Sequence, residues 1–246
     1  MTAPPSGALG EITYVGHSTI AITLDGVTLV TDPLLRTRVG HLVRYASPAV
    51  PVTADAVLIS HAHQDHLDPP SLARLGRDTP LLVPAGVAGL LRRHRFHDIR
   101  ELRPGDRMQL GPLQIEATAA DHPGTRPPTR INVESLGYLV RGSKTVYFAG
   151  DTGLFPGMAR IGDEHIDVAL IPIDGWGPKV GTGHLDPAGA AEAVRLLRPT
   201  IAVPIHWGTY APFKRPARDP QEAVAEFVAL AGATARVLAP GQRLEV

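Results

Sequence analysis

The chain contains no cysteine. That removes disulfides, thiolate metal ligands and cysteine nucleophiles, and it leaves the redox compartment open. Charge of one sign is also lacking: 24 Lys and Arg residues balance 24 Asp and Glu, so no overall field draws the chain to nucleic acid or anionic lipid. No stretch approaches the roughly 18 apolar residues of a spanning helix. The opening MTAPPSGALGEITYVGHS has no basic segment followed by an apolar core; it does not read as a secretory signal, and the expected location is cytoplasmic. Internal repeats and low-complexity linkers are missing too. The GTG at positions 181–183 is followed by no Lys-Ser/Thr, which excludes a phosphate-binding loop there.

What is present is a chain of 246 residues, 43% hydrophobic and 20% charged. This is ordinary for a globular protein and enough for a substantial core, so one domain over residues 1–246 is expected. Short runs rich in Val, Ile, Thr and Tyr recur between Gly, Pro and Asp: EITYV, TIAITL, VTLVT, AVLIS, PLLVP, LQIEATA, SLGYLV, TVYFA, VALIPI and IAVPI. They read as strands. Asp25-Gly26 between two of them favours a tight primed turn. The clearest helix signal is DPAGAAEAVRLLRP, with Asp186 as N-cap, an apolar stripe at Ala190, Val194 and Leu197, and Pro199 as a stop. PPSLARL, AGVAGLLRRH and DPQEAVAEFVALAG are further candidates. HPGTRPPTRINVES, residues 122–135, has no obvious element, and loops of that size are often functional.

Of 11 histidines, three fall in SHAHQDHLD, directly after an apolar run. Alternate residues of an extended segment face one way, so His61 and His63 can address one ion while Asp65 and His66 reach a second beyond a turn. Other strand-like runs end in similar residues: Gly16-His17, Asp32-Pro33, Asp121-His122, Gly150-Asp151 and His206-Trp207. Strand ends gathered at one rim are a common way to build a site. Asp32 could equally form a turn in Thr-Asp-Pro. His17 and His184 could each simply bond a backbone carbonyl, and Trp207 could line the site or pack in the core. His94 and His97 read as a solvated helix end.

The order His-x-His-x-Asp-His, a later His, the Asp of AGDTG and a final His resembles the metallo-β-lactamase superfamily. YVGHSTIAI, TDPLL, GHLDPAGA and PIHWGTY are similar to the branch holding L-ascorbate-6-phosphate lactonase and N-acyl phosphatidylethanolamine phospholipase D. The resemblance spans about Ile12 to Tyr210. It implies an α/β fold, a four-layer αββα sandwich of two mixed sheets flanked by helices, with two metal ions at one edge. It further implies that His61, His63 and His122 hold one ion and Asp65, His66 and His206 the other, with Asp151 bridging. Asp32 would orient a ligand imidazole from behind. His17 and His184, and Asp65 beside the reacting atoms, are the implied catalytic set.

Imidazole and carboxylate ligands without sulfur suit zinc first, with manganese or iron also compatible. The expected activity is hydrolysis of a phosphodiester, lactone or other ester of a small soluble substrate by a metal-bridging hydroxide. Arg126 and Arg130 are candidates for holding an anionic group on that substrate. A nuclease, a mononuclear iron sulfur dioxygenase and a non-catalytic metal-binding sensor module are the alternatives. Neutral charge weighs against nucleic acid as a partner. The oligomeric state and the physiological substrate stay open.

Overall fold

The computed structural model describes residues 10–46, 50–129, 131–173, 181–213 and 219–246. Two sheets dominate. The first has seven strands in the order Arg243–Glu245, Gly10–Gly16, Thr19–Leu24, Val27–Thr31, Ala56–Leu58, Leu81–Pro84 and Ile99–Leu102. Its first four strands pair antiparallel, and pairing turns parallel from Val27–Thr31 onward. The second has six, in the order Ile201–Ile205, Val168–Pro172, Thr145–Phe148, Leu136–Arg141, Leu113–Ala119 and Arg107–Leu110. It is likewise mixed, parallel among its first three strands and antiparallel beyond.

The turn at Asp25-Gly26 has positive φ at both residues, 50° and 81°. This is the primed geometry whose twist matches the flanking strands.

Period-two alternation decides which face each side chain serves. Ala56 and Leu58 join Ile12, Ile20, Ile115 and Tyr138 in the core between the sheets. Their neighbours Val57 and Ile59 point the other way, into a second core with Leu72 and Leu91. Those leucines come from helices α1 (Pro69–Leu75) and α2 (Ala88–Arg93), which therefore cover the outer face of the first sheet. Helices α3 (Gly157–Ile161), α4 (Pro187–Leu197) and α5 (Pro220–Ala231) follow later in the chain. Ala190, Ala193 and Leu197 of α4, and Phe227 of α5, pack with Val168, Leu170 and Val203 of the second sheet. The layers run helix, sheet, sheet, helix.

Local chemistry sets the helix starts. Asp186 accepts from Gly189 N at 2.7 Å and caps α4. Asp68 accepts from Ser71 N at 3.0 Å and caps α1, an arrangement worth about 1 kcal/mol. Arg36 grips the same carboxylate at 2.6 and 2.9 Å. The segment between Leu58 and Asp68 is thus held at one end by a buried strand and at the other by a capped helix.

The stretch 122–135 is not featureless: Thr125–Arg126 and Ile131–Asn132 pair as a two-stranded ribbon. A three-stranded sheet of Tyr210–Pro212, Leu42–Arg44 and Arg38–Val39 stands apart from the two main ones. Among the described residues no helix is long and apolar enough to cross a membrane.

Candidate metal centre

Strands of both sheets end at one rim, and His17, Asp32, Asp151 and His206 each stand at or just past a strand end there. His61, His63, Asp65 and His66 follow Ala56–Leu58, and His122 follows Leu113–Ala119. His184 comes from the segment leading into α4. His17, Asp32 and His206 have φ of 58°, 33° and 65°. Left-handed backbone costs a non-glycine residue roughly 1–2 kcal/mol, and such strain collects at functional sites.

His61 Nε2 lies 2.9 Å from His63 Nδ1, and His122 Nε2 lies 3.1 Å from the same atom. Three ring nitrogens therefore converge on one point. His122 Nδ1 is 2.7 Å from the carbonyl of Gly183, to which it donates; the lone pair is left at Nε2. Gly183 can approach this closely because it lacks a Cβ, which would sit 2.7 Å from Pro123 and 3.0 Å from the His122 Cα.

A second group gathers His17, Asp65, His66 and His206. His17 Nε2 is 3.1 Å from Asp65 Oδ2, and its ring centroid is 4.1 Å from that of His206. The His66 Nδ1 faces Asp32 Oδ2 at 2.7 Å. On the other side of that ring, Nε2 lies 3.2 Å from Asp151 Oδ2 and 3.5 Å from Asp65 Oδ2. It is nonetheless buried without a hydrogen bond of acceptable geometry.

Asp151 stands between the groups. Its Oδ2 is 3.2 Å from His66 Nε2, 3.4 Å from His206 Nε2 and 3.5 Å from His184 Nε2. Its Oδ1 is buried with no hydrogen-bond partner. His122, Asp151 and His184 also form a candidate ligand group of their own. A buried carboxylate oxygen and a buried imidazole nitrogen, both unsatisfied, are costly unless something supplies positive charge. The donor set of nitrogen and carboxylate oxygen fits a divalent cation such as zinc, manganese or iron.

Electrostatics follow the same division. Burial pushes His206 down to about 3 and His122 down to about 4. Burial, with His66 nearby, also places His61 well below the usual range. These rings are neutral at pH 7 and able to donate lone pairs. Burial opposes charge on Asp151, yet the His206 and His66 rings hold its carboxyl well below the ordinary value. Burial likewise opposes charge on His66, but Asp151 and Asp65 hold it well above. The space between these two carboxylates favours positive charge.

The chain matches the beta-lactamase superfamily domain over residues 28–207. It belongs to that superfamily. A UPF0173 metal-dependent hydrolase of Desulforamulus reducens is 34% identical over 208 residues, covering 81% of this chain and 85% of that protein. Its counterpart in Opitutus terrae is 34% identical over 242 residues, covering 96% of this chain and all of the relative. The protein is thus a member of the UPF0173 metal-dependent hydrolase family. Among solved structures, Igni18, a metallo hydrolase from the archaeon Ignicoccus hospitalis, superposes with a TM-score of 0.70 at 27% identity. The match covers 96% of this chain and 97% of that one.

Several residues of the hydrolase play parts the sequence did not disclose. Arg126 Nη1 donates to the carbonyls of Ala62 and Leu67 at 2.7 and 2.9 Å, so this amino group pins the histidine loop instead of awaiting an anion. Arg130 lies outside the described residues. Trp207 packs inward, stacked on Tyr14 with its Nε1 donating to Pro204 O. His97 pairs with Asp78 on the surface, away from the cluster. The Gly183 carbonyl reaches His122 across 61 positions, a contact with no local signal in the sequence.

Proposed function

We propose that the protein is a single-domain, dinuclear metal hydrolase acting on an ester, lactone or phosphodiester of a small molecule. Asp151 carries this reading: one of its oxygens faces three imidazoles and the other is buried without a partner. His61, His63 and His122 would hold one ion and Asp65, His66 and His206 the other, with Asp151 serving both. When bound, two divalent ions would polarise the scissile group and lower a water's pKa toward neutrality. Zinc is the preferred identity, since nitrogen and carboxylate donors without sulfur suit it.

The chain's own residues do the rest. The negative charge of Asp151 offsets repulsion between the two sites. Two carboxylates facing two divalent charges leave the centre net positive, which favours an anionic or electron-rich substrate. His17 holds Asp65 at 3.1 Å and so sets the direction of its carboxylate. His184, 23% exposed against 3% for Asp151, stands at the edge of the cluster, where it can donate a proton to a leaving oxygen. The balance of 24 basic against 24 acidic residues weighs against a nucleic acid as the substrate.

Purified protein assayed against panels of phosphodiesters, lactones and esters tests the proposal. At least one class should be hydrolysed, with activity abolished by a chelator and restored by zinc or manganese. Hydrolysis that persists unchanged after complete metal removal would refute it.

A further inference from the structure

Ser60 separates the buried carboxylate of Asp32 from the ring of His61, and the ligand set leaves it without a task. Its backbone is pinned on both sides. Ser60 N donates to Asp32 Oδ1 at 2.7 Å, and Ser60 O accepts from Leu136 N at 2.8 Å. Gly150 crowds its side chain, since a Cβ there would lie 2.6 Å from the Ser60 Cβ and 3.2 Å from Oγ. The hydroxyl is left as the one adjustable group, and its two neighbours constrain it.

The hydroxyl carries a single proton. Ser60 Oγ donates it to Asp32 Oδ2 at 2.5 Å. The contact between Ser60 Oγ and His61 Nδ1, at 2.9 Å, must then run in the opposite sense, with His61 Nδ1–H donating to the serine oxygen. A neutral imidazole protonated at Nδ1 keeps its lone pair at Nε2. That is the atom facing His63 Nδ1 and the first ligand group. Asp32 Oδ2 also receives His66 Nδ1 directly at 2.7 Å, leaving the His66 Nε2 toward Asp151 and Asp65.

We propose that Ser60 is a positioning residue that extends the acceptor of Asp32 to His61, so that one buried carboxylate fixes the ring tautomer of one imidazole in each ligand group. It acts on His66 by direct contact and on His61 through the serine hydroxyl. The inference rests on reading His61 as a metal ligand, but the tautomer it assigns exists with or without metal.

The test is nitrogen-15 NMR of the imidazoles in metal-free, full-length protein, paired with a zinc titration. In the wild type, His61 should carry its proton on Nδ1 with Nε2 bare. In Ser60→Ala, His61 should shift to a mixture containing the Nε2–H form. His122, whose partner Gly183 is untouched, should keep its Nδ1 proton. Zinc affinity should fall by about 10- to 100-fold, and Ser60→Thr, which restores the hydroxyl, should recover both the tautomer and most of the affinity. A wild-type proton on His61 Nε2 overturns the proposal, and so does an unchanged tautomer with unchanged affinity in Ser60→Ala. Should Ser60→Ala fail to fold, the wild-type tautomer decides alone. A wild type that binds no zinc yet shows the assigned tautomer would defeat the ligand reading while leaving the relay intact.

Discussion

His184 presents Nε2 to Asp151 at 3.5 Å and keeps Nδ1 buried without a partner, so its ring is oriented by the centre without being enclosed in it. As a proton donor to the leaving oxygen, its loss in His184→Gln should lower turnover by roughly two orders of magnitude with metal content unchanged. The loss should shrink for substrates with acidic leaving groups, which need little protonation. Equal losses across a leaving-group series reject the acid role, and a variant stripped of metal makes His184 a ligand. A second consequence at this scale concerns pH. His206 and His122, held by burial near 3 and 4 against 6.5 for free imidazole, refuse protons that the unfolded chain accepts. Their contribution to the stability of metal-free protein is therefore full above pH 6.5 and lost as pH falls toward 4 and below. His66, which burial opposes but Asp151 and Asp65 hold well above 6.5, works in the opposite sense and loses its contribution as pH rises. Melting temperatures of the metal-free protein should accordingly show a shallower acid-side slope in His206→Asn than in the wild type. An identical slope would mean that His206 titrates like free imidazole.

The elements place these residues through turns that tolerate little change. Gly150 has φ of 62°, and a Cβ there would meet the Ser60 Cβ at 2.6 Å and the Leu136 carbonyl at 2.9 Å. Gly150→Ala should cost about 1–3 kcal/mol in denaturant unfolding through overpacking and backbone strain. It should also weaken metal retention, because it pries the Asp151 turn from the Ser60–His61 turn; wild-type stability and affinity together would contradict this. The sequence disclosed the elements that own a clear pattern. Every apolar β-branched run became a strand, Asp186 caps the helix it was read to start, and PPSLARL forms the helix Pro69–Leu75. It did not disclose Gly157–Ile161, too short for a helical period to register, nor Ile99–Leu102 and Arg107–Leu110, four-residue strands whose charged and polar positions leave no β-branched apolar run. The ribbon inside residues 122–135 was hidden behind prolines and arginines. At the centre, residue types and their order pointed to the histidines and aspartates. The parts played by Ser60 and by Arg126, read as an anion holder, were not legible because they depend on contacts with Asp32, Ala62 and Leu67 that only folding creates.

For the whole molecule, the two sheets press strand ends from both halves of the chain onto one rim, so each candidate ligand group gathers residues from distant segments. His61 and His63 meet His122, and His66 meets His206, only when the sandwich closes. Metal binding should therefore stabilise the fold as a whole, by mass action on the native state alone. The measurement that bears most directly on this account is the number of ions per chain, by elemental analysis of protein purified without chelator and then equilibrated with zinc. Two ions per wild-type chain, falling together in Asp151→Ala, are predicted, because that carboxylate stands between the groups, beside His122 on one side and His66 and His206 on the other. A wild type that saturates at one ion, or an Asp151→Ala variant that keeps two, would contradict it.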